Sequence, residues 1–222
     1  LDLYLLHWPA RYTPQSNWGQ SLQYHGDTEN APWYRDHASF EEIAEAMSEL
    51  IDAGKLRGWG MCNDNAYGLT ASCYAAYSLE NGHAPCVMQN DFSLINRRVE
   101  ENGVTEASSP ANENVGFMAY NVLAGGVLTG KYLDVAAAVD NPRDPELAER
   151  LLNDPRGRMD DYSWGKTLYR YRSGPASDAT RAYAAIADAA GVSLTELALR
   201  WCRARDGVTS SLIGHTSMVQ LD

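Results

Sequence analysis

Apolar positions along the chain fall into two alternating patterns. Short, nearly continuous runs occur at 1–6, 56–61, 85–89, 115–120 and 208–213. Runs of this length, rich in Leu, Val, Met and aromatic residues, predict strands buried on both faces. Between them, apolar residues recur every three to four positions, the period of an amphipathic helix. Phe40, Ile43, Ala44, Met47, Leu50 and Ile51 share one such face, with a Ser39–Glu42 capping box before them and Gly54 as the stop. A second helix is predicted from about Ala66 to Leu79, and a weaker one around Val99–Ala107. Ala179, Tyr183, Ile186, Ala187 and Ala190 mark another, ended by Gly191. Ser193 and Glu196 form another capping box, over Leu194, Leu197, Ala198 and Trp201, and 214–222 reads as the start of one more. Residues 10–38 form a long loop, and 121–175 are mostly irregular, with a short helix near Pro145–Leu152.

Strand and helix alternate five times, which predicts an α/β fold with a parallel sheet and covering helices. An open doubly wound sheet and part of an eight-stranded (β/α)8 barrel both fit. In either, ligands gather at the carboxyl ends of the strands. Those ends carry His7, then Cys62 with Asn63, Gln89 with Asn90, Tyr120 with Asn121, and Gly214-His215-Thr216. Each has an ordinary reading as a loop or packing residue. Together they offer an imidazole, carboxamides able to pair with another carboxamide, and a Tyr ring able to stack on a flat heterocycle. A nicotinamide ring needs such a set.

Charge narrows the partners. The formal net charge of −11 disfavours nucleic acid and anionic membrane surfaces. An anionic ligand would need a local basic patch. Cys62, Cys73, Cys86 and Cys202 are scattered without metal-ligand spacing and read as reduced thiols of a cytoplasmic protein. No apolar run is long enough to span a bilayer. "GGVLTGKY" at 125–132 matches most of a phosphate-binding P-loop, but Tyr132 stands where a hydroxyl should ligate magnesium. Its Gly-rich backbone with Lys131 could still hold a pyrophosphate. The aromatic residues of loop 10–38, Trp18 and Trp33 among them, either pack over a site or wall a pocket for an apolar carbonyl compound.

Several stretches taken together resemble the aldo-keto reductase superfamily. "LDLYLLHWP" resembles its fourth barrel strand, "AMSELIDAGKLRGWGMCND" the following helix and fifth strand, and "MQNDFSLINR" the sixth strand. "FMAYNVLAGGVLTGKYL" resembles the seventh strand and its loop, and "SLTELALRW" with "SSLIGHTSMVQL" the closing helix and eighth strand. The segment "DPRGRMDDYSWGKTLYRYRS" is nearest the Tas-like branch, related to potassium-channel β subunits. The resemblance implies a single domain over 1–222, the C-terminal portion of a (β/α)8 barrel carrying strands 4 to 8. The family's first three βα units, with its catalytic Asp, Tyr and Lys, are not represented, so a fragment inactive alone is expected.

By the same resemblance, the parent protein reduces aldehydes or ketones with NADPH, and His7 is the catalytic histidine. Asn63 and Gln89 hold the nicotinamide carboxamide, and Cys62, also at the cofactor site, replaces the family's usual Ser and so removes one good donor to that amide. Tyr120 stacks on the ring beside Asn121. Leu123 and Gly125 line the pyrophosphate, Lys131, Arg158, Thr216 and Gln220 meet the phosphates, and Gly214 belongs to the cofactor site. Trp8, Trp18 and Trp33 border the substrate. No metal is implied, and the oligomeric state is left open. The rival reading is a non-catalytic NADP-binding subunit of the channel β type.

Overall fold

The computed structural model describes residues 1–13, 37–133, 157, 171, 173–215 and 217–221. Among them are five strands hydrogen-bonded in chain order: β1 (Leu3–Leu6), β2 (Gly58–Cys62), β3 (Val87–Asp91), β4 (Gly116–Tyr120) and β5 (Val208–Ser211). The α-helices are α1 (Phe40–Asp52), α2 (Ala66–Tyr77), α3 (Arg98–Glu101), α4 (Val104–Ser108), α5 (Gly174–Ala189) and α6 (Leu194–Arg203). The arrangement is a parallel sheet with flanking helices, as part of a (β/α)8 barrel requires. No single helix among the described residues is long and apolar enough to cross a membrane.

The Ser39 box closes as the sequence implies, while at Ser193 only one of the two bonds forms and the Glu196 carboxylate pairs with Arg200 instead. Ser39 Oγ accepts from Glu42 N, and Glu42 Oε2 accepts from Ser39 N, closing both halves of the box at α1. Ser193 Oγ accepts from Glu196 N at α6. Two caps had gone unread. Asn65 starts α2 by accepting from Gly68 N, and Ser173 starts α5 well ahead of its first periodic apolar residue. The weak helix at 99–107 is two short helices, α3 and α4, parted at Gly103 (φ +78°). In place of a last helix, Met218–Gln220 forms a 3-10 turn.

The two outer strands differ from expectation. β2 is buried throughout. β1 is not, since Leu3 and Tyr4 are 46% and 45% exposed and Leu1 is 78% exposed. In β5, Thr209 and Ser210 are exposed, and beyond its end so is Ile213. An apolar strand is buried on both faces only where neighbours and helices cover it, and β1 and β5 are the outer strands here.

The described residues form two compact units. The first comprises Leu1–Asp91, Arg98–Met118 and Asp206–Ser210. Its sheet registers Leu6 with Met61, Met61 with Met88, and Cys62 with Gln89. Its helices meet over small side chains, Ala44 of α1 against Ala75 and Ala76 of α2. Trp59 is fully buried in β2 and donates Nε1–H to the His83 carbonyl. The second unit comprises Phe92–Arg97, Ala119–Arg205 and Ser211–Asp222. Its core packs Leu94, Val127, Leu128, Tyr132 and Tyr171 against Ala187 of α5 and Leu194 and Ala198 of α6.

Candidate active site

In the first unit, His7, Cys62, Asn63 and Gln89 come together at adjacent strand ends. Cys62 and Gln89 are register partners, and the register carried one residue past Leu6–Met61 puts His7 beside Cys62. In a parallel sheet such a row shares one face. Cys62 Sγ donates to Gln89 Oε1 at 3.5 Å, and Asn63 N donates to the Gln89 carbonyl at 3.0 Å. Asn63 Nδ2 donates to the His7 carbonyl at 3.0 Å. Asn63 adopts a left-handed backbone (φ +58°), which turns the chain sharply off β2. His7 is exposed and its ring stacks on Trp8, centroids 5.7 Å apart. Burial pushes the Cys62 thiol up to about 12, so it is a neutral donor at ordinary pH.

Trp8 also borders a cavity of about 140 Å³, together with Leu6, Phe40, Ile43, Met61 and Cys62. The wall is chiefly apolar, and His7 is not part of it.

Arg11, which the sequence reading passed over, also touches this cavity. It donates to both carboxylate oxygens of Asp64, at 2.9 and 2.7 Å, and to Asn65 Oδ1 at 3.2 Å. Asn90 Nδ2 donates to the Asp64 carbonyl at 2.8 Å. No periodic pattern announces such a pair. The only signal was polar residues, in "HWPAR" and "CNDN", directly after predicted strands.

The second unit holds the other described candidates. Tyr120 ends β4, half-buried, and its carbonyl accepts from Phe92 N. Asn121, like Asn63, is left-handed (φ +59°). Its Oδ1 accepts from Gly125 N at 2.7 Å and its Nδ2 donates to Tyr171 OH at 3.3 Å. The stretch Ala124–Thr129 is a kinked 3-10 segment in which Ala124, Gly125 and Gly126 all have positive φ. Gly125 N–H is therefore committed to Asn121, and Gly126 N–H to the Leu123 carbonyl. Any anion at this turn would meet it through close approach of a bare backbone rather than through the Gly125 amide.

Lys131 is exposed and its ammonium lies 5.1 Å from the Tyr132 ring centroid. Gly157 packs directly on this pair, and a Cβ there would collide with Lys131 Nζ and Tyr132 OH. Tyr132 is core, and the residues from Lys131 to Leu133 form a turn, not the α-helix that follows a P-loop. The NTPase alternative thus fails on geometry as well as on its missing hydroxyl. Gly214 and Gln220 are exposed, the latter on the Met218–Gln220 turn. Trp18, Trp33, Arg158 and Thr216 lie outside the described residues. No cluster of metal-ligating side chains occurs among the described residues.

Comparison with known proteins bears on this arrangement. The family model described as "Aldo/keto reductase family" matches residues 1–222. An aldo-keto reductase of Babesia bovis is 33% identical over 222 residues, covering all of this chain and 71% of its own length. The protein Tas of Escherichia coli is 34% identical over 223 residues, 55% of its length. A probable voltage-gated potassium channel subunit beta of Arabidopsis thaliana is 31% identical over 181 residues, covering 82% of this chain and 49% of its own length. The chain thus spans between about half and about seven-tenths of these relatives.

Proposed function

The chain belongs to the aldo/keto reductase family, a family of oxidoreductases, and on that premise we propose that the full-length protein uses NADPH to reduce aldehyde or ketone carbonyls. The observation that carries the reading is the row of His7, Cys62 and Gln89, tied to Asn63 at adjacent strand ends. The 222 residues act in it as one domain, the C-terminal portion of a (β/α)8 barrel.

The donor set suits a nicotinamide. Gln89 Oε1 is turned toward Cys62, which directs its Nε2 side elsewhere, toward a carbonyl acceptor in our reading. Cys62 itself is 4% exposed and acts through Gln89 rather than on the cofactor. Asn63 supplies the second carboxamide, and Tyr120 a ring for stacking. Lys131 is the cation for a phosphate group. When bound, the nicotinamide supplies a hydride. His7 holds the carbonyl oxygen through its imidazole, favouring the charge that develops there. The proton comes from a general acid outside these residues. Trp8 borders the space for the rest of the substrate.

The test is NADPH oxidation by the full-length protein with a panel of simple aldehydes and ketones, beside its His7→Ala variant. Turnover that falls ~10²-fold or more in the variant supports the reading. NADPH binding with no turnover on any carbonyl would favour the other reading, a cofactor-binding subunit. Similarity to a protein named as a channel β subunit keeps that reading in view.

A further inference from the structure

We propose that Arg11 and Asp64 are positioning residues that set His7 and Asn63 against each other; this rests on the carbonyl-reduction reading above. Arg11 lies four residues after His7, and Asp64 directly follows Asn63. The segment 7–11 is tied to the segment 63–65 at both of its ends. At one end Asn63 Nδ2 donates to the His7 carbonyl at 3.0 Å. At the other the Arg11 guanidinium grips Asp64 through two N–H groups, at 2.9 and 2.7 Å, and reaches Asn65 Oδ1 at 3.2 Å. A two-pronged guanidinium–carboxylate pair fixes orientation as well as distance.

The surroundings hold both partners. The Asp64 side chain is 1% exposed and that of Arg11 14%. The guanidinium carbon lies 5.2 Å from the Phe40 ring centroid and 5.3 Å from that of Tyr67. Phe40 begins α1 and Tyr67 lies in the first turn of α2, so both helices brace the pair. Asp64 Oδ1 also accepts from Asn65 N at 2.8 Å, and the Asp64 carbonyl accepts from Asn90 Nδ2. The clamp therefore links the residues after β1 and β2 to Asn90 within β3.

Stability alone does not call for this device. Two buried charges pay heavily in desolvation, and a well-packed apolar pair often serves as well or better. A directional pair instead supplies register between two loops. A reductase needs that, because a misplacement of about 1 Å can cost ~10²-fold in rate.

The experiment uses the full-length protein and the double variant Arg11→Met with Asp64→Asn. It removes both charges together and keeps an oxygen for Asn65 N–H, so no orphaned carboxylate is left buried. Two quantities are read besides the melting temperature. One is hydrogen exchange in peptides covering 7–12 and 62–66; the other is kcat for carbonyl reduction. We expect the melting temperature to stay near that of the parent and exchange in those peptides to rise at least ~10-fold. Protection in α1 and α2 should hold, while kcat falls ~10²-fold. Parental exchange in 7–12 together with parental kcat would overturn the proposal. If the double variant fails to fold, Arg11→Lys, which keeps the charge but loses the fork, decides on the same two readouts. A parent that reduces no carbonyl would sink the functional reading alone, since the exchange comparison needs no substrate.

Discussion

The Cys62 thiol donates to Gln89 Oε1 and is nearly buried, so its effect on a cofactor is indirect. Cys62→Ser keeps a donor at that position and should bind NADPH as well as the parent. Cys62→Ala should weaken binding roughly 2–10-fold, the worth of one hydrogen bond; fluorescence titration of the full-length protein reads this. Tyr120→Phe should retain affinity and Tyr120→Ala lose roughly 3–10-fold, because stacking needs the ring and not the hydroxyl. Equal losses would sink the stacking role. Burial also pushes the Cys73 thiol up to about 12. Groups whose folded pKa exceeds the unfolded value hold protons that the unfolded chain releases first. Stability should thus be unaffected below the ordinary thiol value of 9.0 and decline between there and about 12. Urea midpoints that stay level from about pH 7 to about pH 10.5 would contradict this. The polar residues at strand ends were legible because a strand's end is visible in its apolar run. The Arg11–Asp64 pair joins positions far apart in sequence, and one sequence holds no record of such a pairing.

Helices were legible as far as their caps could be read. The Ser39 box stands out because Ser and Glu flank an apolar period, and the structure closes both bonds. Ser39→Ala should cost about 1 kcal/mol in chemical denaturation, the usual worth of an N-cap. Asn65 was hidden in a polar run, and Ser173 sat ahead of small residues without clear periodicity. The turn after β4 was half legible. Its glycines marked a bend, but nothing local shows that Asn121 takes the Gly125 amide or that Ala124 takes a positive φ. Gly157 is the sharper case, since its lack of a side chain is what lets it lie on Lys131. Gly157→Ala should displace the ammonium. If Lys131 meets the 2′-phosphate, the variant loses NADPH affinity and keeps that for NADH; a parallel loss of both would move Lys131 to another part of the dinucleotide.

At the scale of the whole chain, alternating strands and helices made the parallel sheet readable; the apolar runs by themselves read as buried, and only the resemblance to part of a barrel implies uncovered side chains along Leu1–Leu6 and Val208–Ile213. A run such as Leu1–Leu6 looks the same in sequence whether or not another strand lies beside it. In the structure Leu3 and Tyr4 of the first outer strand are exposed, as are Leu1 just before it and Ile213 just past the last. An outer strand offers unpaired backbone groups as well as apolar side chains, and such edges pair with other chains. Proteins usually blunt them with charge, and Asp2 with Arg57 is a charged pair beside β1. That pair is exposed at both partners, and surface pairs of this kind contribute little. The 222 residues expressed by themselves should therefore self-associate, as dimers by edge pairing or as aggregates. They should also lack carbonyl reductase activity, because no general acid can be assigned among the described residues, a loss worth ~10²–10⁴-fold. Size-exclusion chromatography across a concentration series, with NADPH oxidation measured on each fraction, decides both points. Replacing Leu3 by Lys should shift the elution toward monomer if β1 is the contact. A monomeric wild-type chain that turns over an aldehyde would mean that the exposed strand is tolerated as it stands and that a proton donor exists within these residues.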